Sequence, residues 1–149
     1  MKKISMISLF VLTVFLYTYP AYSKNSPAEE CVKNFYIWCI TESEKQNDTL
    51  YDPDIYKYVD HCTVNNIRIF RERAYFDADY FLKSQDVWDK WIDGMVIHKE
   101  VKLTETVSIV PVSLNATGGD VSHNIIAFVR NENGKYYITK LVGTSYFDE

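Results

Sequence analysis

DADYFLKSQDVWDKW, residues 77–91, divides this chain into two halves with different periods. Upstream, apolar side chains recur at helical spacing. Downstream, after Gly94, they alternate every second residue. Helices followed by a strand meander is the order of an α+β domain. The dividing stretch sets Asp77, Asp79, Asp86 and Asp89 among Tyr80, Phe81, Trp88 and Trp91. That mixture suits a solvated helix surface or the wall of a binding cleft. It reads as a loop followed by short helical turns, ended by Gly94, and as the hinge between the halves.

On the downstream side, Val96, His98 and Val101 belong to a first strand. Residues 106–114, TVSIVPVSL, form a second. Val107, Ile109 and Pro111 share one side there, Val110, Val112 and Leu114 follow after a break in phase, and Pro111 requires an edge or a bulge. Residues 117–120, TGGD, make a turn, and residues 124–130 a third strand. Asn131-Glu132-Asn133-Gly134 is a tight hairpin with glycine where a positive φ is wanted, leading into a fourth strand at residues 136–142.

On the upstream side, Ser26-Pro27-Ala28-Glu29-Glu30 is a helix start: a Ser cap, Pro at the first helical position and acids in the first turn. Apolar residues at 32, 35, 36, 39 and 40 form the stripe of a core-facing helix running to about Glu44. A polar loop follows. Asp52-Pro53 opens a shorter helix with Ile55, Val59 and Cys62 on one face. Thr63 is the expected cap of a third, carrying Val64, Ile67 and Phe70; the pattern fits two helices or one bent helix.

Residues 1–23 read as a bacterial signal peptide. Lys2 and Lys3 precede an apolar run over residues 4–16, and Ala21-Tyr22-Ser23 offers small residues at the cleavage positions. The alternative is a retained anchor, but the run is short for a membrane span. A periplasmic or secreted single domain over residues 24–149, with no stable membrane insertion after cleavage, is the expectation. Losing two of the sixteen basic residues leaves fourteen against twenty acids, so the mature chain is net acidic. Arg68, Arg71 and Arg73 are the only cationic cluster, and it contains Glu72. Nucleic acid is therefore not expected as a partner.

Three cysteines in an oxidising compartment allow one disulfide. Cys31 and Cys39, eight residues apart on one helix, are roughly 12 Å apart, too far to bridge. Cys39 with Cys62 is the expected pair; three buried free thiols are the alternative. His61, His98 and His123 are scattered without ligand spacing, and position six after Asp77 is Leu82 where a calcium loop needs glycine. Neither a metal nor a cofactor is expected. The chain has no nucleophile elbow, P-loop or dinucleotide fingerprint.

A first helix carrying Phe35-Tyr36-x-Trp38, the stretch from Asp79-Tyr80-Phe81 to Gln85-Asp86, and four strands closing on Gly134-Lys135-Tyr136-Tyr137-Ile138 resemble a known group. They are similar to small exported bacterial domains in the cone-shaped α+β superfamily of nuclear transport factor two and ketosteroid isomerase. The resemblance implies N-terminal helices packed on a curved four-stranded antiparallel sheet, with a pocket at the mouth of the cone. It implies no activity, because the superfamily includes enzymes, binding modules and structural partners.

Two functional classes follow. One is an exported non-catalytic binding protein that captures a partner protein or small ligand, of the inhibitor or immunity type. The acidic charge and the twelve tyrosines, eight phenylalanines and three tryptophans favour it. The other is a small cofactor-free isomerase- or dehydratase-like enzyme. It would use Asp77, Asp79 or Asp86 as base and Tyr36, Tyr75 or Tyr80 as oxyanion donor. In either case the expected site residues are Tyr36, Tyr75, Asp77, Asp79, Tyr80, Gln85, Asp86 and Trp88. The competing reading has Asp77 cap a helical turn, Asp79 and Asp86 face water, and the aromatics fill the core. A monomer or a dimer fits equally well.

Overall fold

The computed structural model describes residues 24–73, 79–84, 90–115 and 122–143. The leader, residues 1–23, and the expected turn at 117–120 lie outside them. The first element is α1 (Pro27–Glu44), followed by a 3-10 helix (Pro53–Lys57), α2 (His61–Arg73) and the short α3 (Lys90–Gly94). Five strands then form one antiparallel sheet: β1 (Val96–Ile97), β2 (Val101–Lys102), β3 (Val107–Asn115), β4 (Ser122–Glu132) and β5 (Lys135–Gly143). Their order is β1-β3-β4-β5, with β2 also on β3. The α+β expectation holds, with five strands in place of four.

α1 forms because both its end and its face are specified. Ser26 accepts from the Glu29 N–H at 3.2 Å while Glu29 Oε2 accepts from the Ser26 N–H at 3.1 Å, a reciprocal capping box. Ala28, Val32, Phe35, Tyr36, Cys39 and Ile40 are buried along one side. That stripe lies against Val110, Val112 and Leu114 of β3, Ile125, Ala127 and Val129 of β4, and Ile138 and Leu141 of β5. β3 alternates without interruption, so the expected break in phase is a change of face: Val107, Ile109 and Pro111 are half-buried on the far side.

The extra strand comes from a bulge. Ile97 pairs with Val112 and Val101 with Ile109, so three edge residues face two residues of β3. Pro111 sits opposite: its carbonyl accepts from the His98 N–H at 2.9 Å, and its donor-less nitrogen points to the same irregular edge. Gly94 is required where α3 meets β3, because a Cβ there would lie 1.9 Å from the Asn115 carbonyl oxygen. Asn133 and Gly134 both take positive φ, at 53° and 85°, which matches the twist of the β4–β5 hairpin.

Between the 3-10 helix and α2 the chain joins the sheet. The Ile138 N–H donates to the Tyr58 carbonyl at 2.8 Å and the Asp60 N–H to the Ile138 carbonyl at 3.0 Å, covering the β5 edge. The two helical pieces are therefore separate, and Asp60, not Thr63, caps α2. Its Oδ1 accepts from the N–H groups of Cys62 and Thr63 at 3.0 and 3.3 Å, and its Oδ2 from Arg130 at 2.8 Å. The Thr63 hydroxyl donates instead to the Thr139 carbonyl at 2.9 Å, where β5 carries a bulge. Phe70 is 53% exposed and not part of the core.

Candidate functional site

Residues 79–84 fold back on themselves. The Asp79 N–H donates to the Ser84 carbonyl at 2.8 Å and the Lys83 N–H to the Asp79 carbonyl at 2.9 Å, with Lys83 at a φ of 54°. Asp79 Oδ1 accepts from the N–H groups of Phe81 at 2.7 Å and Leu82 at 2.8 Å, the side-chain bridge that makes Asp a turn former. Phe81 and Leu82 thereby enter the core. Burial raises the Asp79 pKa, and the Leu82 and Phe81 N–H groups hold part of that rise back.

Tyr36 reaches the same turn from below. Its ring is fully buried beside Phe35, at 5.1 Å between centroids, and its hydroxyl donates to the Phe81 carbonyl at 3.2 Å. Burial lifts its pKa well above the usual phenol value. Tyr80 is half-buried with Lys83 Nζ 4.4 Å over its ring; burial raises its pKa, and the Leu141 backbone bond partly counters this. The structure thus gathers Tyr36, Asp79 and Tyr80 around one turn, in separate roles. Asp79 shapes the turn, and Tyr36 ties it to α1. Tyr75, Asp77, Gln85, Asp86 and Trp88 lie outside the described residues.

Beside the turn runs an open polar groove of about 320 Å³, lined by Ser43, Gln46, Asn47, Asp48, Thr49, Arg71 and Asp79. α1 ends here: the Gln46 N–H donates to the Ser43 carbonyl at 2.9 Å and the Asn47 N–H to the Glu42 carbonyl at 3.0 Å, with Gln46 at a φ of 62°. Arg71 Nη1 donates to both Asp48 carboxylate oxygens at 2.9 Å. One turn earlier, Arg68 straps the loop to α2. Its Nε and Nη2 donate to the Leu50 carbonyl at 3.0 and 2.6 Å, and its Nη1 to the Tyr56 hydroxyl at 2.8 Å. Sequence reasoning missed Asp48, Thr49 and Arg71 as groove residues. The i, i+3 spacing of Arg68 and Arg71 was the available signal: two cations on one helix face need a nearby acceptor.

The expected Cys39–Cys62 disulfide is not formed. All three cysteines are free thiols. Cys39 is sealed in the core, where burial raises its pKa far above the usual thiol value. Cys62 is exposed, because the chain changes direction at residues 58–60 and turns it off the apolar face. Cys31 donates to the Tyr136 carbonyl at 3.1 Å, and burial pushes its pKa to about 11. The histidines are equally dispersed. His61 stacks on Tyr56 at 4.0 Å, His98 Nε2 lies 2.9 Å from Ser113 Oγ, and His123 meets Trp91 edge-on at 5.4 Å. Among the described residues, no group of three or more His, Cys, Asp or Glu side chains is placed to hold a metal. No helix there is long and apolar enough to cross a membrane.

No family model and no curated protein matches the sequence. Solved structures do. A chain of the type VI effector–immunity complex Tae3–Tai3 from Ralstonia pickettii matches in its native form at 30% identity and a TM-score of 0.70, over 83% of this chain and 99% of that one. The selenomethionine form of the same complex matches at 30% identity and 0.69, over 82% and 99%. These matches share the α+β fold with this chain; they do not place it in the cone-shaped superfamily.

Proposed function

We propose, from the premise that this chain belongs to the family of the Tae3–Tai3 complex chain it matches, that it is an exported, immunity-type binding protein that captures and neutralises a partner protein. The observation that carries this reading is 30% identity across 99% of a chain solved within an effector–immunity complex. Of the two roles which that description names, the immunity role fits the described chemistry. A thiol nucleophile needs a lowered pKa and a nearby base. Here Cys31 is bonded to a backbone carbonyl with its pKa near 11, Cys39 is buried, and the exposed Cys62 has no histidine among its described contacts, those of the histidines being with Tyr56, Ser113 and Trp91.

The isomerase-like alternative draws no support from the described residues. Asp79 Oδ1 is occupied by two backbone N–H groups, and Tyr36 donates to a buried carbonyl instead of facing a substrate cavity. The Lys-Lys leader motivates export to the periplasm or beyond.

The test has two stages. Immobilised residues 24–149 are used to capture exported proteins of the same strain, and the captured protein is purified and expressed in the periplasm of a host cell. Growth arrest that is relieved by the full chain, and not by a leaderless version, is the expected result. A captured protein that is harmless in the periplasm, or no capture at all, overturns the reading.

A further inference from the structure

An antiparallel sheet with one face in water alternates apolar with polar residues, whereas strands covered on both faces read as unbroken apolar runs. β3 and β4 are of the second kind, with Ile109-Val110-Pro111-Val112 in one and Ile125-Ile126-Ala127-Phe128-Val129 in the other. α1 accounts for one face only, through Val110, Val112, Ile125, Ala127 and Val129. The residues between them point the other way, and the register sets them in rungs: Val101, Ile109 and Phe128 in one, Pro111, Ile126 and Val142 in the next. The five on β3, β4 and β5 are half-buried, yet none belongs to the core or packs against it. Along the edge, Val96, Val101 and Leu103 are 44%, 49% and 52% exposed.

The border of this face is polar and already satisfied. At one end His98 Nε2 lies 2.9 Å from Ser113 Oγ, which donates to Asn124 Oδ1 at 2.7 Å. At the other, Arg130 is paired with Asp60 at 2.8 Å and Glu132 at 2.7 Å. Covering an apolar centre ringed by groups that have partners costs little desolvation. Nine residues of β3 by four strands make a face of roughly 30 by 15–20 Å, about 500 Å² in projection. That is most of what one partner contributes to a standard interface, about 800 Å² of accessible surface.

We infer that this outer face is a dimer interface, occupied by a second copy of this chain. The mature chain is net acidic, so two copies repel unless they meet where acids are absent, and the two rungs carry none. The face is also complementary to itself. A two-fold axis along the strands, midway between β3 and β4, lays β3 of each copy over β4 of the other, as in aligned sheet packing. Ile109 then meets Phe128 of the second copy, and Pro111 meets its Ile126, because these are register partners within one sheet. Lys140, exposed at the β5 margin, overlies the opposite margin and not its own counterpart.

Sedimentation velocity and light scattering on residues 24–149 over a concentration series test this. The expected result is a dimer that dissociates on dilution. Ile109→Asp and Phe128→Asp should each weaken association about tenfold or more, giving monomer where the wild type is dimeric. In a mixture of ¹³C-labelled and unlabelled wild-type chains, the Ile109 methyls should show intermolecular NOEs to the Phe128 ring, and the Ile126 methyls to Pro111. That readout decides even if both substituted chains fail to fold. A monomer at every concentration, a dimer indifferent to both substitutions, or intermolecular NOEs from another surface overturns the interface. So does a monomer whose capture of an exported protein is lost in Phe128→Asp, since the face then belongs to that protein. A failed dimer with intact capture leaves the proposed function standing.

Discussion

Glu29 joins the start of α1 to the edge of the sheet with one carboxylate. Oε2 completes the α1 cap and receives Lys99 Nζ at 3.2 Å, while Oε1 accepts the Glu100 N–H at 2.9 Å, so the helix start grips the bulge in the edge strand. Burial alone would raise its pKa, but the bonds from Glu100, Ser26 and Lys99 reverse this and hold it below the ordinary value of 4.5. A folded pKa below the unfolded one means the stabilisation is fully present above pH 4.5 and is lost as pH falls through the folded value. Glu29→Gln keeps the shape but removes the charge and turns an N–H₂ toward donors. At pH 7 it should cost about 1–3 kcal/mol. Urea denaturation measured at pH 7 and again below pH 4 checks this: the gap between variant and wild type should narrow in acid. A gap that stays constant across that range would show that Glu29 does not act through its charge.

At the scale of elements, the 45–58 segment makes its own turns through Asp48 and Asp52 and is strapped to the body of the domain by α2. Arg68 provides three hydrogen bonds from one guanidinium fork to the Leu50 carbonyl and the Tyr56 hydroxyl, and its face covers Tyr51 and Tyr56 at 5.1 and 5.6 Å. Arg68→Ala should lower stability by about 1.5–3 kcal/mol, and Arg68→Lys should recover little, because an ammonium cannot reproduce the planar fork. Hydrogen exchange is the readout. Amides of residues 50–58 should lose protection first, and full protection there in Arg68→Ala would remove the strap. The same contrast explains what was legible beforehand. α1 could be read because Ser26, Pro27, Glu29 and the stripe from Val32 to Ile40 are all local to it. The α2 start could not, since Asp60 becomes its cap only once Ile138 has fixed the backbone of residues 58–60. The split edge strand was equally hidden: it depends on Pro111 across the ladder and on Glu29 about 70 residues away. At the candidate site, Asp79 was visible only as one of several acids, a candidate base or a water-facing charge, and its role in the turn emerges from the Phe81 and Leu82 N–H groups it bridges. The groove around it was not visible, because Asp48 and Arg71 meet only through tertiary packing, 23 positions apart.

For the whole molecule, the three thiols report on three depths of opening. Cys62 lies on the exposed side of α2, Cys31 is tied to the β5 carbonyl of Tyr136, and Cys39 is sealed beneath the α1–sheet contact. Thiolate is the reactive form, and burial disfavours it at Cys31 and more strongly at Cys39. A thiol reagent at neutral pH should therefore modify Cys62 promptly. Cys31 should follow at a slower rate set by local release of the α1 start from β5. Cys39 should react only when the core opens, so its rate should rise as denaturant lowers global stability. Mass spectrometry of the labelled protein distinguishes the three sites. Denatured and without reductant, the chain should titrate as three thiols. A count of one would restore a disulfide among them. A Cys39 rate insensitive to denaturant would mean that its shelter opens without unfolding, and that the helix–sheet contact is not the cooperative core the packing describes.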